Sequence, residues 1–155
     1  MTQRVTVTEE SPLAEDIRAL LRQSDAFANA LYPPRSNHLV SAEDLVAEGV
    51  RFFVARLDGA AVGCGALRRH PPSGEIKRMF VTAQARGLGV GAAILAALEA
   101  VARQEGITLL QLETGIHNGA ALQLYHRAGF AERDAFAPYG PDPLSVFMEK
   151  RMSAT

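Results

Sequence analysis

Six consecutive residues, Arg86-Gly87-Leu88-Gly89-Val90-Gly91, put one cation and three glycines into one short stretch. Glycine lets a backbone come close to a ligand. The residues before it, Glu75 to Val81, read as a β-strand, and an alanine-rich helix begins near Gly89. A strand, a glycine turn and a helix start, in that order, aim free N–H groups and the positive end of the helix dipole into the turn. That is the chemistry of a phosphate or pyrophosphate site. A Walker loop is excluded because Ala92 and Ala93, not Lys-Ser/Thr, follow Gly91. The even spacing of Gly87, Gly89 and Gly91 does not fit the dinucleotide pattern Gly-x-Gly-x-x-Gly either. A turn that only caps a helix would have the same composition.

The elements that must position this loop follow from periodicity. Residues 3–8 alternate as a short edge strand, and Ser11-Pro12 opens a helix with Leu13, Ile17, Leu20, Leu21 and Phe27 at 3–4 spacing. Pro33-Pro34 forbids its continuation. The irregular stretch 31–40 holds Tyr32, Arg35, Ser36, Asn37 and His38, which either line a substrate pocket or cover the core. Residues 41–44 form a helical cap. Runs at 50–57 and 60–68 flank Asp58-Gly59, a hairpin signal, and Gly63 and Gly65 in the second run mark a bulge or a close backbone approach. After a turn at 70–74 the strand 75–81 makes three successive antiparallel strands. A helix from about Gly89 to Gln104 ends at Gly106, and residues 107–113 form a mostly apolar central strand. Residues 118–128 give a second short helix, Gly129-Phe130 begins a strand, 137–143 is a Pro/Gly loop, and 144–150 is the last strand. The fold class is α+β, with a mixed, mostly antiparallel central sheet flanked by helices. Without linker, repeat or low-complexity composition, residues 1–155 read as a single domain.

The motif Arg86-x-x-Gly89-x-Gly91, between a strand and an alanine-rich helix, resembles the acyl-CoA pyrophosphate loop of the GNAT superfamily of N-acetyltransferases. A second motif, Asn118-x-x-Ala121-x-x-Leu124-Tyr125-x-x-x-Gly129-Phe130, follows after the intervening helix and strand. Across residues 50–135 the chain is similar to a small bacterial single-domain member of that family. The resemblance implies acetyl-CoA as donor, held in a cleft where the two central strands splay apart near Phe80 and Leu112. It implies that the N–H groups of Gly87, Leu88, Gly89, Val90 and Gly91 take the pyrophosphate, with Arg86 adding charge. Backbone edges at Met79, Phe80 and Val81 would bond the pantetheine arm, and Asn118 contacts that arm, caps its helix, or does both.

The same resemblance implies transfer of an acetyl group to a primary amine by direct attack. Tyr125 is then the candidate general acid, since a phenol of reference pKa about 10 hydrogen-bonds a leaving thiolate while staying protonated. The other role for Tyr125 is a tyrosine at the core edge. Glu75 matches the position of the base in the histone-acetylating branch, where a carboxylate takes the amine's proton; beside Lys77 and Arg78 it could instead be a strand-end ion pair. His38 and His117 are fallback bases. Tyr32, His38, Glu75, Phe136 and Tyr139 are the candidate acceptor-binding residues. A CoA-binding regulatory or interaction protein on the same fold is the alternative to an enzyme. Homodimers are common in the family, and the last strands could supply such an interface.

Bulk properties narrow the partners. A formal charge of −1 argues against a general nucleic-acid binder. Residues 1–50 are net −4 and residues 51–100 net +4, so the positive excess surrounds the glycine loop, and the acidic first third favours an amine-bearing acceptor. Cys64, the only cysteine, cannot form an intrachain disulfide and lies away from a credible base, so neither a disulfide scaffold nor an acyl-enzyme is indicated. The four histidines lack a compact ligand spacing, so no metal is implied. With no signal-like or membrane-length apolar run, a cytoplasmic location is expected and membrane association is not.

Overall fold

The computed structural model describes residues 4–33, 40–47 and 49–152. Among these residues seven strands form one sheet: β1 (Val5–Glu9), β2 (Val50–Leu57), β3 (Ala60–His70), β4 (Ser73–Val81), β5 (Leu109–Gly115), β6 (Ala131–Arg133) and β7 (Ser145–Arg151). Their spatial order is β1-β2-β3-β4-β5-β7-β6, and every neighbouring pair is antiparallel except β4–β5. Three α-helices lie among the described residues: α1 (Glu15–Leu31), α2 (Val90–Gln104) and α3 (Gly119–Arg127). The expected α+β class and mostly antiparallel sheet are what the chain forms.

Each sheet face has its own core. On one, Ile17, Leu20 and Leu21 of α1 pack on Phe52, Val54, Cys64 and Ala66. On the other, Val90, Ile94, Leu95 and Leu98 of α2 pack on Phe53, Ala55, Leu67 and Ile76. Alternation along β2 and β3 divides these residues, one face taking even and the other odd positions. Gly65 is the close approach foreseen in β3, since a Cβ there would sit 2.8 Å from Ile94 Cγ2 and 2.7 Å from Met79 Sδ.

Helix α1 begins later than Ser11-Pro12 predicts. Ala14 occupies the cap position without a side-chain bond, and Ser11 Oγ instead accepts the Leu13 N–H at 3.1 Å within a preceding turn. Leu13, expected on the apolar stripe, is therefore off the helix and 40% exposed.

Opposite Gly65, two residues of β4 face one of β3, with the register shifting between Cys64 and Ala66. Arg78 lies in this bulge with φ +58. Bulges bend a strand and re-aim its side chains. Here the Arg78 guanidinium turns towards α1 and meets Asp25 Oδ1 at 2.6 Å. Beyond that point β4 leaves its parallel neighbour: pairing with β5 runs only from Ser73↔Leu109 to Ile76↔Leu112. The central sheet is split from there on.

Candidate functional site

The split opens a cleft of about 790 Å³ between the ends of β4 and β5. Lys77 to Val81 and Glu113 to Gly115 form its two strand walls, the start of α2 and one side of α3 its rim. Past Ile76 the β4 backbone has no partner on its β5 side, so its polar groups there are offered to whatever fills the cleft.

The glycine loop stands at one end. Gly87 and Gly89 have φ +82 and +79, a region costly for other residues, and a Cβ on either would point into open space. Strain, not crowding, demands glycine at these two positions. Gly89 is the cap residue of α2 and contributes no side chain, so the first-turn N–H groups remain for a ligand. Gly91 lies against Leu124 of α3, with a Cβ placed at 3.1 Å from Leu124 Cδ2, and so lets the two helices meet across the cleft floor. The Arg86 guanidinium sits over the Phe27 ring at 5.0 Å, which fixes it beside the loop. Such a cradle of N–H groups, one cation and an open strand edge fits a pyrophosphate with an extended amide-bearing arm.

From α3 come Asn118 and Tyr125, both on the cleft wall. Asn118 occupies the helix cap position, yet its side chain makes no cap hydrogen bond. The backbone role is therefore filled while the amide is not consumed by it. Tyr125 is 4% exposed, its ring edge-on to Phe130 at 5.8 Å, and its hydroxyl makes no hydrogen bond among the described residues. Burial pushes its phenol above the usual range, which keeps the proton on it.

At the other end Glu75 is buried on the α1 face of the sheet. Tyr139 donates to Glu75 Oε2 at 2.6 Å, and Lys77 Nζ lies 3.3 Å from the same oxygen. Lys77 also hydrogen-bonds the Tyr139 hydroxyl and sits over that ring. The ion-pair reading of Glu75 is realised, and the same carboxylate borders the cleft. Its Oε1 takes no hydrogen bond from a described residue, leaving that oxygen for a proton. The Tyr139 phenol is raised, by burial first and then by donating to Glu75.

Tyr32 reaches the cleft from the end of α1. Its hydroxyl accepts the His117 N–H at 3.0 Å, and its ring stacks on the His117 imidazole at 5.6 Å. It lies across Gly115, where a Cβ would fall 1.9 Å from the Tyr32 hydroxyl oxygen. His117 is exposed and serves as that ring's partner.

Three candidates stand elsewhere. The Leu88 side chain is 46% exposed and outside the cleft wall, so only its backbone belongs to the loop. Phe136, 7% exposed, turns into an aromatic cluster with Tyr139 and Phe147 and does not line the cleft. Tyr139 shares that cluster and acts on the site through Glu75. Phe147, opposite Glu113 on β7, supplies an apolar neighbour that draws both rings inward. His38 falls outside the described residues.

Sequence reasoning named Lys77 as an ion-pair neighbour of Glu75, which the structure shows, but it missed Glu113 and Ser145 altogether. Ser145 Oγ donates to Glu113 Oε2 at 2.6 Å on the wall opposite Glu75. Alternation in residues 109–115 would have put Glu113 on the face of Gln111 and Gly115, but nothing local tells which face looks into the cleft.

The family model described as Acetyltransferase (GNAT) family matches residues 15–130. An IAA acetyltransferase from Azospirillum brasilense is 45% identical over 148 residues, covering 94% of this chain and 97% of that protein. A crystal structure from Klebsiella pneumoniae subsp. pneumoniae, assigned as an acyl-CoA N-acyltransferase, superposes with TM-score 0.80 at 42% identity, covering 95% of this chain and 97% of that one. PaiA N-acetyltransferase from Thermoplasma acidophilum, solved with coenzyme A, shares the fold with TM-score 0.79 at 19% identity over 96% of this chain and 99% of its own. No helix among the described residues is long and apolar enough to cross a membrane. The split between β4 and β5 and the glycine loop lie within the matched span, and the chain belongs to the Acetyltransferase (GNAT) family.

Proposed function

We propose that the protein transfers the acetyl group of acetyl-CoA to a primary amine of a small molecule or peptide, with Glu75 as base and Tyr125 as acid. One observation carries this reading: the parted strands join a glycine-rich anion cradle at one end to a buried carboxylate at the other, with a buried phenol of α3 on the cleft wall. Family membership and the 45% identical acetyltransferase support it.

Acetyl-CoA supplies an activated thioester. The loop from Gly87 to Gly91 and Arg86 hold its pyrophosphate, the open edge of β4 at Met79 to Val81 pairs with its pantetheine amides, and Asn118 is free to bond the same arm. Glu75 Oε1 accepts a proton from the incoming ammonium or amine, directly or through water, while Tyr139 and Lys77 hold its other oxygen in place. Tyr125, kept protonated by burial, donates to the departing sulfur. Tyr32, Glu113 and Ser145 border the acceptor's approach.

The test is thiol release from acetyl-CoA against a panel of amines, with product identified by mass. Amine-dependent release that falls at least ~100-fold in Glu75→Gln, most at low pH where the amine is charged, is the expected result. Tight CoA binding with no release for any amine would instead indicate a CoA-binding regulatory protein on this fold.

A further inference from the structure

Glu75 borders a second cavity, of about 540 Å³, whose other walls include Arg68, His70, Ser73, Gln111, Phe136 and Pro138. Register explains the grouping. Arg68 lies opposite Glu75 and Glu75 opposite Gln111, so the three form one row on one sheet face.

Arg68 is unusual for its surroundings. Among the described residues, the half-buried arginines Arg18, Arg51, Arg56, Arg69, Arg78 and Arg133 each meet a carboxylate. Arg68 is half-buried and meets none. Gln111, on the far side of Glu75 in the same row and half-buried too, makes no side-chain hydrogen bond with a described residue. Nearby acids are already engaged: Glu75 by Lys77 and Tyr139, and Glu149, next in the row, by Arg133 at 2.7 Å. No Arg68 nitrogen is both buried and unpartnered, so its guanidinium still faces water and stays open to a partner from solution.

We propose that this cavity holds a carboxylate of the acceptor, so that the acceptor is an amine that also carries an acid group. The proposal rests on the amine-transfer reading above and narrows its substrate class. A guanidinium fork matches a carboxylate in two parallel hydrogen bonds, and the Gln111 amide adds a third donor. One guanidinium offsets one negative charge, which suits a carboxylate better than a dianionic phosphate. Phe136, absent from the cleft, gives this cavity an apolar wall for the body of the acceptor. The phosphates of the donor belong elsewhere, since Val81 lies six residue steps along β4 from Glu75, a span of roughly 20 Å.

Matched acceptor pairs test this: amino acids or short peptides against their carboxamides, assayed by thiol release in wild type and Arg68→Gln. The free acids are expected to exceed the amides in kcat/KM by about 10- to 100-fold, the range of a charge-assisted bond. R68Q should bring the ratio to about one, chiefly through KM. Equal rates for acid and amide in wild type, or a ratio that survives R68Q, would overturn the proposal. A second arm needs no turnover: propionate is titrated into the CoA-loaded protein and followed at the Arg68 side-chain Nε–H resonance, identified by its loss in R68Q. A saturable shift confined to that signal supports the pocket, and no shift overturns it. Propionate binding without turnover of any amine would overturn the acceptor assignment and the amine-transfer reading, whereas turnover with a ratio of one sinks the pocket alone.

Discussion

Tyr125→Phe separates catalysis from folding because the structure makes the two effects unequal. The substitution removes one oxygen from a ring that is 4% exposed and keeps the ring itself, including its edge-on contact with Phe130. No described group hydrogen-bonds that hydroxyl, so no buried partner is orphaned, and the folding cost should stay below about 1 kcal/mol. Truncation to Ala would instead open a cavity worth about 3–5 kcal/mol and confuse the readout. The chemical cost is larger if Tyr125 protonates the leaving sulfur. Loss of a general acid lowers the rate by about 100- to 10,000-fold, or about 3–5 kcal/mol of barrier. The assay is kcat at saturating amine, with CoA affinity by calorimetry and Tm in parallel. We expect kcat to collapse while CoA affinity changes less than about threefold and Tm hardly moves. Unchanged kcat at saturating amine would refute Tyr125 as the acid. A matching loss of kcat and Tm would refute the claim that its hydroxyl is structurally idle.

Other outcomes follow from single contacts. Gly115→Ala places a methyl 1.9 Å from the Tyr32 hydroxyl oxygen, so Tyr32 must leave His117; a loss of about 1–3 kcal/mol by denaturant melting is expected, and an unchanged midpoint would mean Tyr32 is not anchored there. Cys64 is fully buried, its thiol pushed up to about 12 by desolvation, so native protein should resist thiol reagents that label it at once in denaturant. Rapid labelling of folded protein would contradict that burial. Glu9 and Glu10 are held below their ordinary value of 4.5, chiefly by hydrogen bonds from Arg51 and Arg56. A lowered folded pKa gives stability present above the unfolded value and lost as pH falls through the folded one. Tm should therefore decline as pH drops below about 4.5, and a flat Tm down to about pH 3 would count against both pairs.

The strands, their order along the chain and the glycine loop were legible because each is written in neighbouring residues. Asp58-Gly59 turns a hairpin, Gly63 and Gly65 announce the contact with α2, and the glycines of the loop lead into the first turn of an alanine-rich helix. What joins distant parts was not legible. Nothing in EIKRMF marks the bulge that turns Arg78 towards Asp25, a residue 53 positions earlier. Tyr32 meets His117 across 85 positions, and Tyr139 meets Glu75 across 64. Its position after the Gly129-Phe130 turn makes Phe136 a pocket-lining candidate, but nothing local shows that it packs on Phe147 of β7 or that it borders the second cavity and not the cleft. The start of α1 failed for another reason: Ser11 has a capping side chain, and a turn before the helix uses it first.

The most direct measurement is a calorimetric titration of ligand-free protein with acetyl-CoA, repeated with adenosine 3′,5′-bisphosphate. The parted strands predict a single site at which acetyl-CoA binds more tightly than the bisphosphate, because the open edge of β4 engages the pantetheine arm. Equal affinity for the two would contradict a pantetheine-binding edge. No binding of either by folded protein would contradict the cleft as a donor site.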